Sequence, residues 1–215
     1  LGRMNLPARP DHVSMSPSGQ YCVVSWAHNR ELGTRAYTRD FTTPHAASAA
    51  RQPYVKLHEQ SEHSDLALNK QGEDVYVAID YQADRGDVFM VNLKTGKRTS
   101  LFPTYLSGTA TAIHFSGKAY GKPGWALVST YGEYHASNQA SSLRNTAMQQ
   151  WMHRKIFAVS LEENPQIRPL AHADSDSKSS WGSDAYWAEP QATVNSDFTR
   201  VLFNSTLNSS RIQDV

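Results

Sequence analysis

The sequence predicts an all-β protein assembled from repeated units of four antiparallel strands. The clearest unit runs from His63 to Leu101, where the segments HSDLAL, VYVAID, DVFMVNL and RTSLF follow one another. The polar segments NKQGED and KTGK separate the first strand from the second and the third from the fourth, and both are rich in turn-forming residues. Related patterns recur along the chain at a spacing of roughly 50 residues, which is typical of repeated four-stranded sheets.

The other units show the same alternation of turns and strands. The first unit begins at Asp11 with DHVSMSPSG and continues through QYCVVSW, TRAYTRDF and PYVKLH. The third unit begins with TATAIHFSG and GWALVSTYG and resumes at RKIFAVSL and IRPLAH. The fourth opens with EPQATVNSD and FTRVLFNST. We therefore expect units at approximately 11–60, 61–108, 109–175 and 186–215, the last of them incomplete.

Four-stranded antiparallel units of this kind are the blades of a β-propeller. About three and a half blades cannot close a ring, and an open ring would expose unpaired sheet edges that favour aggregation. We therefore expect the chain to be a segment of a longer protein with a ring of about seven blades. The alternative is that two or more copies complete the ring together.

The composition excludes several functional classes. The 215 residues carry a formal net charge of +1, which gives no polybasic surface for nucleic acid. No apolar run approaches the roughly 20 residues of a membrane-spanning helix. The single cysteine, Cys22, rules out an internal disulfide, and we expect it to be a buried structural thiol. The sequence has no GxSxG nucleophile elbow, so a serine hydrolase of that type would need its catalytic part elsewhere.

The blade pattern resembles the superfamily of bacterial propellers that includes TolB-like and WD40-like repeat proteins. The segments DHVSMSPSG, EHSDLALNKQGEDVYV, GDVFMVNLKTGKRT and AEPQATVNSDFTRVLFNS are most similar to oligogalacturonate-lyase-type propellers and their secreted relatives. The resemblance extends over nearly the whole chain. It implies a propeller fold and a periplasmic or extracellular location in a bacterium.

The lyase family implies a metal site at the central channel. Its divalent ion (Mn, Ca or Zn) is held by histidines and a glutamine at the starts of the innermost strands. The resemblance therefore implies His12, His63 and Gln191 as metal ligands, and an acidic, uronate-containing oligosaccharide or polysaccharide as the substrate of a β-elimination. The third unit departs from this pattern, because Thr109 and Ala110 stand where another ligand is expected.

His63 and Asp65 are two residues apart, so on a strand their side chains share one face. A carboxylate can orient an imidazole and raise its basicity, as a general base or a metal ligand requires. The alternative is that both side chains tie neighbouring blades together through backbone hydrogen bonds. His12 occupies the equivalent position of the first unit, beside Asp11, either as part of a shared axial site or because each blade packs in the same way.

Tyr131 and His135, in STYGEYH, end a strand and enter a polar insertion that runs from about residue 133 to about residue 150. A tyrosine at this place can protonate the leaving glycosidic oxygen of a β-elimination, and a nearby histidine can neutralise the uronate. The alternative for Tyr131 is ordinary packing of an aromatic ring at the rim. We expect His114, inside TAIHF, to be a core histidine. Glu189 and Gln191 open the fourth unit on one strand face, either to bind a metal or a sugar hydroxyl or to satisfy backbone groups.

These patterns predict a secreted carbohydrate-active propeller, in its most specific form a polysaccharide lyase. A second hypothesis is a non-catalytic propeller that binds a protein or a glycan through the same face. A third is the propeller domain of a larger peptidase. We expect no nucleic-acid partner and no membrane span, and the sequence leaves the oligomeric state open.

Overall fold

The computed structural model describes residues 2–26, 29–135, 138–142, 150–175, 188–206 and 213–214. These ranges form strands, turns and loops without any helix, so none of their segments forms a helix able to cross a membrane. The prediction of an all-β fold made of four-stranded antiparallel sheets is confirmed. In the described residues two four-stranded sheets are followed by a third sheet with one additional strand, and two short strand pairs come after them.

The strands of each sheet are neighbours in sequence order, as in propeller blades. The first sheet contains β1 (His12–Met15), β2 (Tyr21–Ser25), β3 (Thr34–Thr38) and β4 (Tyr54–His58). The second contains β5 (Ser64–Leu68), β6 (Asp74–Asp80), β7 (Asp87–Asn92) and β8 (Arg98–Pro103). The third contains β9 (Thr109–Ser116), β10 (Trp125–His135), β12 (Lys155–Ser160) and β13 (Ile167–His172), with β11 (Asn138–Ser142) paired to the end of β10. The short pairs are β14 (Thr193–Val194) with β15 (Val201–Leu202), and β16 (Asn204–Ser205) with β17 (Gln213–Asp214).

The sheets stack face to face, and this stacking explains the nearly continuous apolar strands. The first six residues of β6 are buried, because its sheet is covered on both faces. Val75, Val77 and Ile79 pack toward the third sheet, where they join Val128 and Phe157 in one cluster. The alternate residues of β6 pack toward the first sheet. Strands buried on both faces read as apolar runs rather than as an alternation of polar and apolar residues.

The polar turns of the sequence are held by asparagine side chains. In NKQGED, Asn69 Oδ1 accepts hydrogen bonds from the N–H groups of Gln71 and Glu73, at 3.0 and 2.9 Å. The turn also places Gly72 at a φ of 75°, a conformation that glycine adopts without strain. The side chain of Asn92 caps the KTGK turn in the same way. These local bonds make each hairpin predictable from its sequence.

The inner strands of the second and third sheets approach each other closely at Gly117. A Cβ atom on Gly117 would lie 2.3 Å from the carbonyl oxygen of Leu66. Asp65 holds this approach, because its Oδ2 accepts the Gly117 N–H at 2.9 Å and its Oδ1 lies 2.8 Å from the Lys118 ammonium. The carboxylate of Asp65 therefore ties one blade to the next.

We expect Gly117→Ala to destabilise the fold by about 1–3 kcal/mol, because the added methyl group forces the backbone of Leu66 to move. The midpoint of urea unfolding measures this loss. The matched control is Gly121→Ala, where the nearest atom to the new Cβ is the Ser196 carbonyl oxygen at 3.1 Å. Equal midpoints for the two variants would contradict the close packing described here.

We also expect the stability to fall as the pH is lowered below neutrality. His45 and His58 are buried, and burial lowers the pKa of both imidazoles. The unfolded chain, in which a histidine has a pKa of about 6.5, then binds more protons than the folded chain. The stability contributed by the two neutral histidines is fully present above the unfolded pKa of about 6.5 and is lost as the pH falls below it. Urea midpoints measured from neutral pH to about pH 5 test this, and His58→Gln should reduce the slope.

Candidate functional site

Two adjoining clefts lie where the innermost strands of the three sheets begin. The first has a volume of about 410 Å³, and the second of about 360 Å³. The half-buried side chain of His63 lines both of them. The first cleft is lined by Asp11, His12, Ser61, Glu62, His63, Ser64, His114 and Phe115. The second is lined by His63, Tyr81, Ala110, Thr111, Ala112, Tyr131, Tyr134 and Glu189.

The hydrogen bonds of His63 determine which of its nitrogens can accept a proton. Its Nδ1 lies 2.5 Å from the carbonyl oxygen of Ile113, and a carbonyl can only accept, so Nδ1 carries the hydrogen. In the neutral ring Nε2 is then an acceptor. Burial, and next the neighbouring His114, lower the pKa of His63. A neutral imidazole with its tautomer set by a backbone carbonyl has the properties of a general base.

Two aromatic rings, those of His114 and Tyr131, gather beside His63. The rings of His63 and His114 are stacked with their centroids 4.4 Å apart, and those of His114 and Tyr131 with theirs 4.7 Å apart. The Tyr131 hydroxyl lies 3.5 Å from His63 Nδ1. Because that nitrogen already donates to Ile113, the hydroxyl makes only a weak additional contact. Tyr131 and His63, predicted separately from the sequence, therefore meet in the structure.

His114 is a site residue that the sequence did not predict, whereas Glu189 was already a candidate for ligand binding. His114 Nε2 donates to Glu189 Oε2 at 2.8 Å, and both side chains are largely buried. His114 lines the first cleft, although the sequence suggested a core position. The pairing register of β9 with β10 would have identified His114. Ser129 pairs with His114 and Tyr131 pairs with Ala112, so the side chains of His114 and Tyr131 share one face of the sheet.

His12 lies in the first cleft between a carboxylate and two hydroxyl groups. Its Nδ1 is 3.3 Å from Asp11 Oδ2, and its Nε2 is 3.2 Å from Ser25 Oγ and 3.4 Å from Ser64 Oγ. The Ser61 hydroxyl donates to the same Asp11 oxygen at 2.7 Å. The first and second sheets thus share one polar network around His12.

The sequence also predicted Asp65, His135 and Gln191 as site residues. Asp65 takes part in the tie to Gly117 and Lys118. His135 ends β10, where its backbone pairs with Thr109, and its side chain lies outside the described part of the structure. Gln191 has a φ of 41° and directly precedes Ala192, whose N–H donates to Ser129 Oγ.

The histidines as arranged do not fit a metal site. Within the described residues, no group of three or more His, Cys, Asp or Glu side chains is placed to hold a metal ion. Both nitrogens of His12 are engaged with Asp11 and the serines, and Nδ1 of His63 is engaged with Ile113. A metal at His12, His63 and Gln191 would have to displace the bonds of His12, and this site stays a prediction.

The two clefts carry negative charge. Asp11 and Glu62 line the first cleft and Glu189 lines the second, and no lysine or arginine is among the described residues that line them. A ligand with hydrogen-bond donors or a positive charge is therefore favoured over an anion.

No family model matches the chain, and the comparison with curated proteins finds no match either. Among solved structures, the chain is similar to Kuenenia stuttgartiensis hydrazine synthase, with 8% sequence identity and a TM-score of 0.41. The similarity covers 96% of this chain and 71% of that one. A likeness this low carries no argument about function.

Proposed function

We propose that the two clefts form a saccharide-binding site of a secreted, carbohydrate-active propeller. The observation that supports this most strongly is the stack of His63, His114 and Tyr131 beside the Glu189 carboxylate. Sugar hydroxyls donate hydrogen bonds to carboxylates, and the apolar faces of sugar rings pack against aromatic rings. Clefts of about 400 Å³ with a few convergent polar groups are typical of small-ligand sites.

The more specific form of the proposal is a polysaccharide lyase, and the proximity of His63 and Tyr131 favours it. His63 Nε2 would take the proton from the carbon beside the uronate carboxyl group. The electrons form a carbon–carbon double bond, the glycosidic carbon–oxygen bond breaks, and the Tyr131 hydroxyl protonates the leaving oxygen. Because the carboxylates of the clefts repel an anion, a uronate whose carboxyl group is esterified suits this site better than a free one.

The second candidate is a propeller that binds a glycan without cleaving it. Among the described residues, no lysine or arginine lines either cleft, and this favours the binding form, because such a cation would stabilise the negative charge of an elimination. Turnover and binding therefore need separate measurements, because only the lyase would show turnover.

We expect the full protein to produce an unsaturated-uronate signal from a panel of free and esterified polyuronates, followed by ultraviolet absorbance. His63→Ala and Tyr131→Phe should each reduce the rate by roughly 10²–10⁴-fold, since each removes a proton-transfer group. Tyr120→Phe, which changes an exposed tyrosine, is the matched control. Suppression of the signal by a chelator would support the predicted metal. Turnover that persists in the His12→Ala, His63→Ala double variant would refute the lyase proposal.

Saccharide binding is tested by calorimetry with neutral, acidic and amino oligosaccharides. We expect Glu189→Ala to weaken binding by about tenfold or more, because a hydrogen bond to a charged group is lost. Glu163→Gln is the control, since its carboxylate is exposed and pairs with Lys97. Failure of every saccharide class to bind the wild-type protein would count against the whole proposal.

A further inference from the structure

The first cleft contains a serine, a histidine and an aspartate in the order of a nucleophilic triad. Ser64 Oγ lies 3.4 Å from His12 Nε2, and His12 Nδ1 lies 3.3 Å from Asp11 Oδ2. We propose that Ser64, His12 and Asp11 form a serine-nucleophile site for acyl transfer from carboxylic esters. This site shares the first cleft with the proposed saccharide site, but its reaction requires neither a bound saccharide nor His63. The assignment rests on geometry, which identifies such triads on unrelated folds better than sequence motifs do.

Each nitrogen of His12 faces the partner that the chemistry requires. A carboxylate can only accept, so the contact with Asp11 places the hydrogen on Nδ1 and leaves Nε2 as the acceptor. Nε2 is the atom that faces Ser64 Oγ, and there it can take the hydroxyl proton. The two distances are longer than those of a working triad, as they often are without a substrate. Asp11 thus orients the ring, and His12 serves as the base for Ser64.

Two serine hydroxyls compete for Nε2, and exposure distinguishes them. Ser25 Oγ is closer, at 3.2 Å, but Ser25 is fully buried and also accepts a hydrogen bond from the Thr34 hydroxyl. Ser64 is half-buried and lines the first cleft. A substrate can therefore reach Ser64 but not Ser25.

The backbone N–H of Ser64 is a hydrogen-bond donor on the side of β5 that faces away from β6. The Ile79 N–H donates to the carbonyl oxygen of His63, whereas the Leu66 N–H donates to the Asp65 side chain rather than to β6. In an antiparallel ladder the bonding residues alternate, so the Ser64 N–H faces away from β6, as that of Leu66 does. An N–H beside the nucleophile is one of the groups that stabilise the oxyanion of acyl transfer.

The reaction is balanced with these residues and water. Ser64 Oγ attacks the ester carbonyl carbon while His12 Nε2 takes the hydroxyl proton, and the alcohol leaves with that proton. Water then attacks the acyl–serine ester, His12 takes a proton from the water, and Ser64 regains it as the carboxylic acid departs. Asp11 and Glu62 line the cleft, so we expect a small neutral acyl group rather than an anionic one.

The test uses the full protein with a fluorophosphonate probe and p-nitrophenyl acetate. We expect the probe to modify Ser64, as located by peptide mass spectrometry, and the ester to be hydrolysed. Ser64→Ala should lose both signals, and His12→Ala should lower both rates by roughly 10²–10⁴-fold. Ser14→Ala, on the same strand as His12, should keep both signals.

Thermal unfolding of each variant identifies any that fail to fold. If Ser64→Ala fails, Ser64→Cys provides the second measurement: iodoacetamide should alkylate its thiol faster when His12 is present than in the His12→Ala background. The proposal is overturned if Ser64 stays unmodified in the wild-type protein, or if His12→Ala leaves labelling or alkylation unchanged. Loss of labelling in Ser25→Ala but not in Ser64→Ala would also overturn it.

Discussion

The close approach of the second and third sheets at Gly117 is the constraint on which the site depends. It allows the inner strands β5 and β9 to lie side by side, because no side chain separates the Gly117 backbone from Leu66. The Asp65 carboxylate then offsets the cost of burying the Gly117 N–H by accepting its hydrogen bond. His63 and His114 stand on these two strands or next to them, so the separation of the strands determines whether their rings can stack.

The polar groups of the site belong to elements that the apolar packing has already placed. Val75, Val77 and Ile79 hold the second sheet against the third, and at the inner strands of the same sheets the side chains become polar. Histidines, serines and carboxylates from separate blades therefore meet on the inner strands and in the segments that directly precede them. The distances between the side chains of such a site therefore depend on how closely the sheets beneath it stack.

The blades could be predicted from the sequence because their information is local. Apolar strands and turns such as the one at Asn69 are contained within a few residues. The site could be predicted only in part, since its contacts join distant residues: His114 and Glu189 are 75 positions apart. The register of β10 also shifts between Tyr131 and Tyr134, and a shift of that kind changes which side chains share a face. Hydrophobic patterns carry no information about it.

His63 forms part of the wall of both clefts, and this position has a thermodynamic consequence. A molecule that occupies one cleft and changes the position or protonation of this imidazole also changes the free energy of filling the other cleft. Linkage then requires the reverse effect to have the same magnitude and sign. The two cavities would therefore behave as cooperative or competing halves of one receptor, coupled through a single side chain.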